Sequence, residues 1–344
     1  MQGRKKTLQR SAANLTFILV LFALLVALQT SGTLNAHVTG IIATIGINII
    51  LAVSLNVTTG YLGQLVLGHA GFMSVGAYAS AFLTQSLSPQ LPVVASLPIG
   101  LLAGGVLAAL IGLLIGIPAL RLRGDYLAII TLGFGEIIRV IIQNLKIVNN
   151  GNFVFNSLTG LAKFNYTFVI AILCIFATVL LVRSRHGRAI IAIREDEIAA
   201  EAAGISTTYY KTLAFVFAAF FAGIAGGLYA HHLGVLKAAD FNFNRSVEIV
   251  IFVVLGGMGS TTGSIIAASS LTILPELLRV LLGDHAANYR MLVYSLALIL
   301  IMIFKPSGLF GQYEFSLYRA LQKMGLFFKE KKQRESAGEW HERP

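Results

Sequence analysis

Charge is the scarcest component of this sequence. Only 12% of its 344 residues are Asp, Glu, Lys or Arg, where a soluble domain carries about one quarter. So little charge cannot furnish the polar surface that a water-soluble fold of this length requires. Cysteine is nearly absent as well. The one copy, Cys174, lies inside an apolar run, which excludes a disulfide framework and a cysteine-based metal cluster. No G-x-x-x-x-G-K-[ST], H-E-x-x-H or G-x-S-x-G occurs, so the chain carries no P-loop, zincin or nucleophile-elbow signature of its own. Nor is there a ladder of intramembrane Asp and Glu of the kind that proton-coupled carriers use.

What is present is apolar: 56% of the residues are hydrophobic and the mean hydropathy is +0.79. A bilayer crossing takes about 20 apolar residues. That ruler marks ten candidate spans, near 14–32, 38–57, 64–86, 93–118, 126–144, 165–183, 211–233, 246–262, 264–282 and 291–304. The third, eighth and ninth are rich in Gly, Ser and Thr, which marks them as broken or re-entrant. Arg4, Lys5 and Lys6 precede the first span, but no small-x-small cleavage site follows, so it reads as an uncleaved helix.

Ten spans place both termini on one face, and charge identifies it. Nineteen of the 26 basic residues fall there, among them Arg4, Arg121, Arg183, Arg188, Arg194, Lys211 and Lys305. Positive charge marks the cytoplasmic side. The net charge of +11 is therefore an orientation signal that calls for no nucleic-acid partner. The expected architecture is an all-α integral membrane protein, a polytopic bundle of about ten transmembrane helices, some broken or re-entrant, with both termini cytoplasmic. It divides into an N-terminal segment 1–13, a transmembrane domain 14–304 and a tail 305–344. In the tail, Phe315, Leu321, Phe327 and Phe328 interleave with Arg319, Lys323 and Lys329, as in a helix lying on anionic lipid.

Small residues recur at helical spacing. Gly100, Gly104, Ala108, Gly112 and Gly116 stripe the fourth span, while Ala218, Ala222 and Gly226, with Gly223 and Gly227, stripe the seventh. Lipid offers little hydrophobic drive for helix association, so close backbone approach through such residues does that work. A weaker echo links Thr58-Thr59-Gly60, between spans two and three, with Thr261-Thr262-Gly263, between spans eight and nine.

A charge at the bilayer centre costs about 2.5–3.5 kcal/mol on insertion scales. Glu136 and Arg139 sit three apart on span five, and Glu276 and Arg279 repeat the spacing on span nine. Each couple reads either as a self-neutralising structural pair or as the polar lining of a translocation path. His69 reads either as a hydrogen-bonded structural histidine or as a proton relay. Glu248 falls near the outer end of span eight, where water is expected. His231 and His232 abut the outer surface with no acidic or Cys ligand nearby, so no metal site is expected.

Scarce as acidic residues are, Glu195, Asp196, Glu197 and Glu201 gather within seven positions of the internal cytoplasmic segment 184–210. The stretch AIREDEIAAEAAGI has good helix propensity, and Gly204 suits a helix end. Four carboxylates crowded on one cytoplasmic helix repel one another, so the helix is not optimised for stability alone. It is either a solvated helix or a docking surface.

Glu201-Ala202-Ala203-Gly204 is similar to the E-A-A…G signature of ABC-importer permeases. Five blocks extend the likeness: G-Q-L-V-L-G-H-A-G-F-M-S-V-G-A-Y at 63–78, L-R-G-D-Y-L-A-I-I-T-L-G-F at 122–134, S-R-H-G-R-A-I-I-A-I-R-E-D-E at 184–197, the A-G-I-A-G-G-L-Y-A run ending at 230, and V-L-G-G-M-G-S-T-T-G at 254–263. Together they resemble the LivM-type permease of branched-chain amino-acid ABC importers. The resemblance implies a permease subunit in a bacterial or archaeal cytoplasmic membrane. Its implied partners are a LivH-type second permease, two ABC ATPase subunits and an extracytoplasmic substrate-binding protein. ATP and Mg would reside in the ATPase subunits, with no cofactor and no covalent catalysis in this chain. Arg194, Glu195, Glu197, Glu201, Ala202, Ala203 and Gly204 would form the ATPase coupling surface. The implied cargo is a branched-chain or related neutral amino acid, with urea and short amides as alternatives. LivM-like chains carry T-G-G-x-x-G-L in the outer loop after span five; here Asn156-Ser157-Leu158-Thr159-Gly160-Leu161 is shorter, which puts the usual ligand or docking partner in doubt. A self-sufficient ion-coupled carrier is the competing class, and it would take up cargo without ATP.

Overall fold

A computed structural model describes residues 35–87, 91–122, 124–145, 152–154 and 161–282, with isolated positions as far as Gly311. The N-terminal segment 1–13, the first expected span, the motif at 156–160, half of the last span, the tail apart from Gly308 and Gly311, and the side chain of Arg279 lie outside the described residues.

Helix α1, Ala36–Asn56, runs into a π-helical turn at Val57–Tyr61. Next come α2 (His69–Leu87), α3 (Val93–Ala119), α4 (Asp125–Asn144) and α5 (Leu161–Arg183). Two short helices, α6 (Arg185–Glu195) and α7 (Glu197–Ala202), precede the long α8 (Thr207–Leu233). A single 3₁₀ turn at Ala238–Phe241 leads into α9 (Phe243–Gly256) and α10 (Thr261–Leu282). Among the described residues, His37–Tyr61, Ala95–Ala119, Tyr166–Arg183 and Thr207–Leu233 are long and apolar enough to cross a membrane.

The third and eighth spans are broken, as their composition leads one to expect, whereas the ninth is a single helix, Thr261–Leu282. Residues 63–68 carry no helix, so α2 starts only at His69. Helix α9 has 14 residues, about 21 Å at the α-helical rise, and falls short of a hydrocarbon core about 30 Å thick. It stops because Gly257 (φ 113°) and Gly259 (φ 85°) take up backbone conformations that only glycine adopts at low cost.

The helical expectation holds, with one short strand pair among the described residues. Asn152–Val154 (β1) pairs antiparallel with Val235–Lys237 (β2), with Phe153 opposite Leu236. These residues lie beyond the helix ends, where backbone amides need other partners, and Val and Phe favour extended backbone.

Helix α1 runs through the middle of the core, with Ile47, Ile50, Leu51 and Leu55 fully buried against neighbouring helices. The closest packing joins α2, α3 and α8. A β-carbon on Gly104 would sit 2.6 Å from the Gly76 carbonyl oxygen, and one on Gly112 would sit 2.6 Å from Cβ of Ala219. Gly100 faces Thr84 and Ser80, Gly116 faces the Phe215 ring, and Gly227 faces Leu101 and Ser80. At Gly223 and Gly226 the added carbon would strike Ala108 and the Met73 carbonyl. Gly76 of α2, outside the two stripes, completes this three-helix contact against Gly223.

Since Gly226 meets backbone rather than a flexible side chain, Gly226→Val is expected to cost about 3 kcal/mol or more. Heating the detergent-solubilised protein should lower its midpoint of aggregation by several degrees. Gly133→Ala, where a β-carbon would have nothing within 4 Å, should leave the midpoint unchanged or raise it, because Ala favours helix by about 1 kcal/mol.

Candidate functional site

Ser184 opens the segment between α5 and α8. Its hydroxyl oxygen accepts hydrogen bonds from the amides of His186 (3.1 Å) and Gly187 (3.3 Å), which caps α6. Ile190 and Ile193 of α6 are buried in a small cluster with Val57, Tyr61, Leu62, Ala200 and Ala214. The helix ends at Glu195 because Asp196 is extended (φ −159°, ψ 111°). Asp196 Oδ1 then accepts from the amides of Ile198 (2.9 Å) and Ala199 (3.0 Å) and so caps α7. At the other end Gly204 takes φ 83°. Its amide donates to Glu201 O (2.9 Å), and the Ile205 amide donates to Ala200 O (3.0 Å), the Schellman arrangement.

The expected single acidic helix is thus two helices broken at Asp196, and the expected mutual repulsion is relieved residue by residue. Glu195 bonds the Arg194 guanidinium at 2.5 Å, and Glu197 meets Lys211 Nζ at 2.8 Å. Glu201 Oε1 accepts from the Thr207 hydroxyl at 3.1 Å. Asp196 acts as the cap. With the carboxylates engaged within the segment, what stands out is apolar. Ile198 is 70% exposed, beside exposed Ala199, Glu201, Ala202, Ala203 and Gly204.

Arg194, placed in the same set by sequence, points the other way. Its Nη1 donates to the carbonyl of Gly60 at 3.1 Å, within the π-helical turn. That turn meets the 257–260 turn directly. Asn56 Nδ2 donates to Ser260 O (3.0 Å), the Gly259 amide donates to Asn56 Oδ1 (2.9 Å), and the hydroxyls of Tyr61 and Thr261 lie 2.8 Å apart. The two Thr-Thr-Gly stretches are therefore neighbours in space, the first within the π-helical turn and the second opening α10.

The ionisable residues on the spans sort into separate places. Arg139 Nε bonds Glu136 Oε2 at 2.7 Å on a partly exposed face of α4. Glu276 faces His37 at 3.4 Å, at a cavity of about 360 Å³ that Thr44, His232 and Thr272 also line. His69 is buried, its Nε2 3.1 Å from Ser54 Oγ. One expectation fails. Glu248 is not wet but buried, bonded by Arg245 Nη1 at 2.7 Å, and Arg245 Nη2 donates to Asn48 Oδ1 at 2.7 Å. Asn48 in turn donates to Thr272 at 2.8 Å, so this network ties α9, α1 and α10 together. His231 is buried too, with Nδ1 2.7 Å from Gly227 O. Among the described residues no group of His, Cys, Asp and Glu is placed to hold a metal ion.

The model of one protein family, the permease component of the branched-chain amino acid transport system, matches residues 37–302. The chain belongs to that family. The LivM permease protein of the high-affinity branched-chain amino acid transport system of Escherichia coli K12 is 37% identical over 76% of this chain and 67% of its own. Its Salmonella typhimurium counterpart is 36% identical over the same shares. The corresponding permease protein BraD of Pseudomonas aeruginosa is 26% identical over 77% of this chain and 92% of its own. The family match spans α1 to α10 and includes the 184–204 segment. This permease component is accordingly a membrane-integral, mostly helical transport protein.

Sequence reasoning missed Asn56, Asn48, Arg245, Lys211 and Ile198. Arg245 stands three residues before Glu248, the same spacing that drew attention to the other two pairs. Lys211 was legible only as a topology-setting charge, yet its side chain is 4% exposed. Replacing it by Met leaves the Glu197 carboxylate without this counter-charge. Lys211→Met should loosen the segment by about 1–2 kcal/mol, seen as faster amide exchange across 198–203. Adding Glu197→Gln should restore much of the protection.

Proposed function

We propose that this permease component is one of two permease subunits in an ATP-driven importer, with residues 196–204 as its contact with an ATPase subunit. The fold is read as ten spans with both termini cytoplasmic, which puts the segment on the ATPase side. A LivH-type permease completes the pore, two ATPase subunits bind ATP and Mg, and an extracytoplasmic binding protein delivers a branched-chain or related neutral amino acid. This chain supplies half of the path and carries out no covalent chemistry.

One observation carries the reading: the exposed Ile198 on a segment that is otherwise braced. An apolar side chain held in water on a short helix, capped at both ends and tied back through Lys211 and Thr207, suits insertion into a partner's pocket. The exposed Ala199, Ala202 and Ala203 extend it into a small apolar patch. The carboxylates hold the shape of the segment, while Ile198, Glu201, Ala202, Ala203 and Gly204 present it.

In the assembled importer, Ile198→Asp, Glu201→Lys and Gly204→Trp should each leave membrane insertion normal. Each should reduce co-purification of the ATPase subunit and lower amino-acid uptake by about tenfold or more, the usual effect of removing a central contact residue. Full association and uptake in all three variants would remove the segment from the interface. Uptake by the purified chain alone, driven by an ion gradient and indifferent to ATP, would overturn the importer reading altogether.

A further inference from the structure

We propose that Arg194 is a positioning residue that latches the 184–204 segment to the joint between the 57–63 and 257–260 turns, so that displacement of the segment moves both turns together. The inference rests on the importer reading and assigns to Arg194 a role separate from ATPase docking.

The geometry around this side chain is built rather than incidental. Arg194 is the last residue but one of α6, whose buried Ile190 and Ile193 fix the direction of the helix. Its side chain is 20% exposed. On one side Glu195 holds Nε and Nη2 through Oε1, which leaves Nη1 to donate to Gly60 O. Two glycines make room for it, and a third closes the joint beside it. A β-carbon on Gly63 (φ 76°) would lie 2.6 Å from Arg194 Cγ, and one on Gly259 (φ 85°) would lie 3.0 Å from Nη1. The Gly60 position is closed by Asn56 Oδ1 and the Gly259 amide. The guanidinium therefore sits where the 57–63 and 257–260 stretches converge.

Beyond this point the linkage is continuous. Asn56 bonds Gly259 and Ser260 through both ends of its carboxamide, and Tyr61 meets Thr261. These residues are the ends of α1 and α9 and the start of α10. Residues 62–68 carry no helix before α2 begins, and such stretches absorb backbone rotation more readily than helices do. A push on α7 is passed through α6 and Arg194 to the joint. A planar, always-charged guanidinium that holds a carboxylate and a carbonyl at once is suited to this, and a lysine satisfies only one of the two well.

The test uses the full importer reconstituted with its partner subunits and measures association, ATP hydrolysis and cargo uptake together. Arg194→Ala should retain the ATPase subunit and hydrolyse ATP within about twofold of wild type, while uptake per ATP falls about tenfold or more, in the range of typical coupling between sites. Arg194→Lys should recover part of that ratio. Gly63→Ala, which crowds the arginine stem and strains the backbone at φ 76° while keeping the charge, should lower it as well. Should Arg194→Ala assemble poorly, the Lys and Gly63→Ala variants decide the matter. An unchanged uptake-to-ATP ratio in these variants overturns the latch. Loss of association at an unchanged ratio also overturns it, since it places Arg194 on the docking face. Failure of the importer reading has a different signature, namely wild-type uptake that needs no ATPase subunit.

Discussion

Backbone that leaves a helix inside a membrane protein must find its hydrogen-bond partners in protein, because lipid has none to offer. The structure depends on how that constraint is met at two breaks, one after α1 and one after α9. Neither break satisfies its own polar groups fully. The Asn56 carboxamide supplies a donor and an acceptor to the 257–260 turn, and Arg194 supplies a donor to the 57–61 turn. Two broken helices thereby become one joint, and the peripheral α6 is drawn into it. The same requirement explains the glycine at 60, where a β-carbon would fall on Asn56 Oδ1 and the Gly259 amide.

Away from the joint the protein is held by proximity. Helices α2, α3 and α8 meet through glycine, so backbone faces backbone at Gly76, Gly104, Gly223 and Gly226. Dispersion between many close atoms takes the place that hydrophobic burial holds in a soluble core. Such contacts are stiff. The three-helix group is thus packed backbone to backbone, while the joint beside it is held by side-chain hydrogen bonds.

Much of this was legible in the sequence, and the rest was hidden for identifiable reasons. The apolar class followed from scarce charge, and the small-residue stripes follow a period that helices impose directly. The blocks from Gly63 to Gly263 point to the family that the comparisons established. The break at Asp196 was masked because Asp and Glu look alike in a run of helix formers; only the cap position separates them. The burial of Glu248 was invisible because one of the residues that accompany it, Asn48, lies 200 positions away in sequence. Asn56 was hidden similarly, since an amide within an apolar run declares a need for partners but not their address. Ile198 was overlooked because one apolar residue among acidic neighbours resembles ordinary helix filling until its exposure is known.

The exposed isoleucine has an energetic consequence. Its side chain stands in water on a helix too short to bury it, so any surface that covered it would release free energy in proportion to the apolar area removed from water.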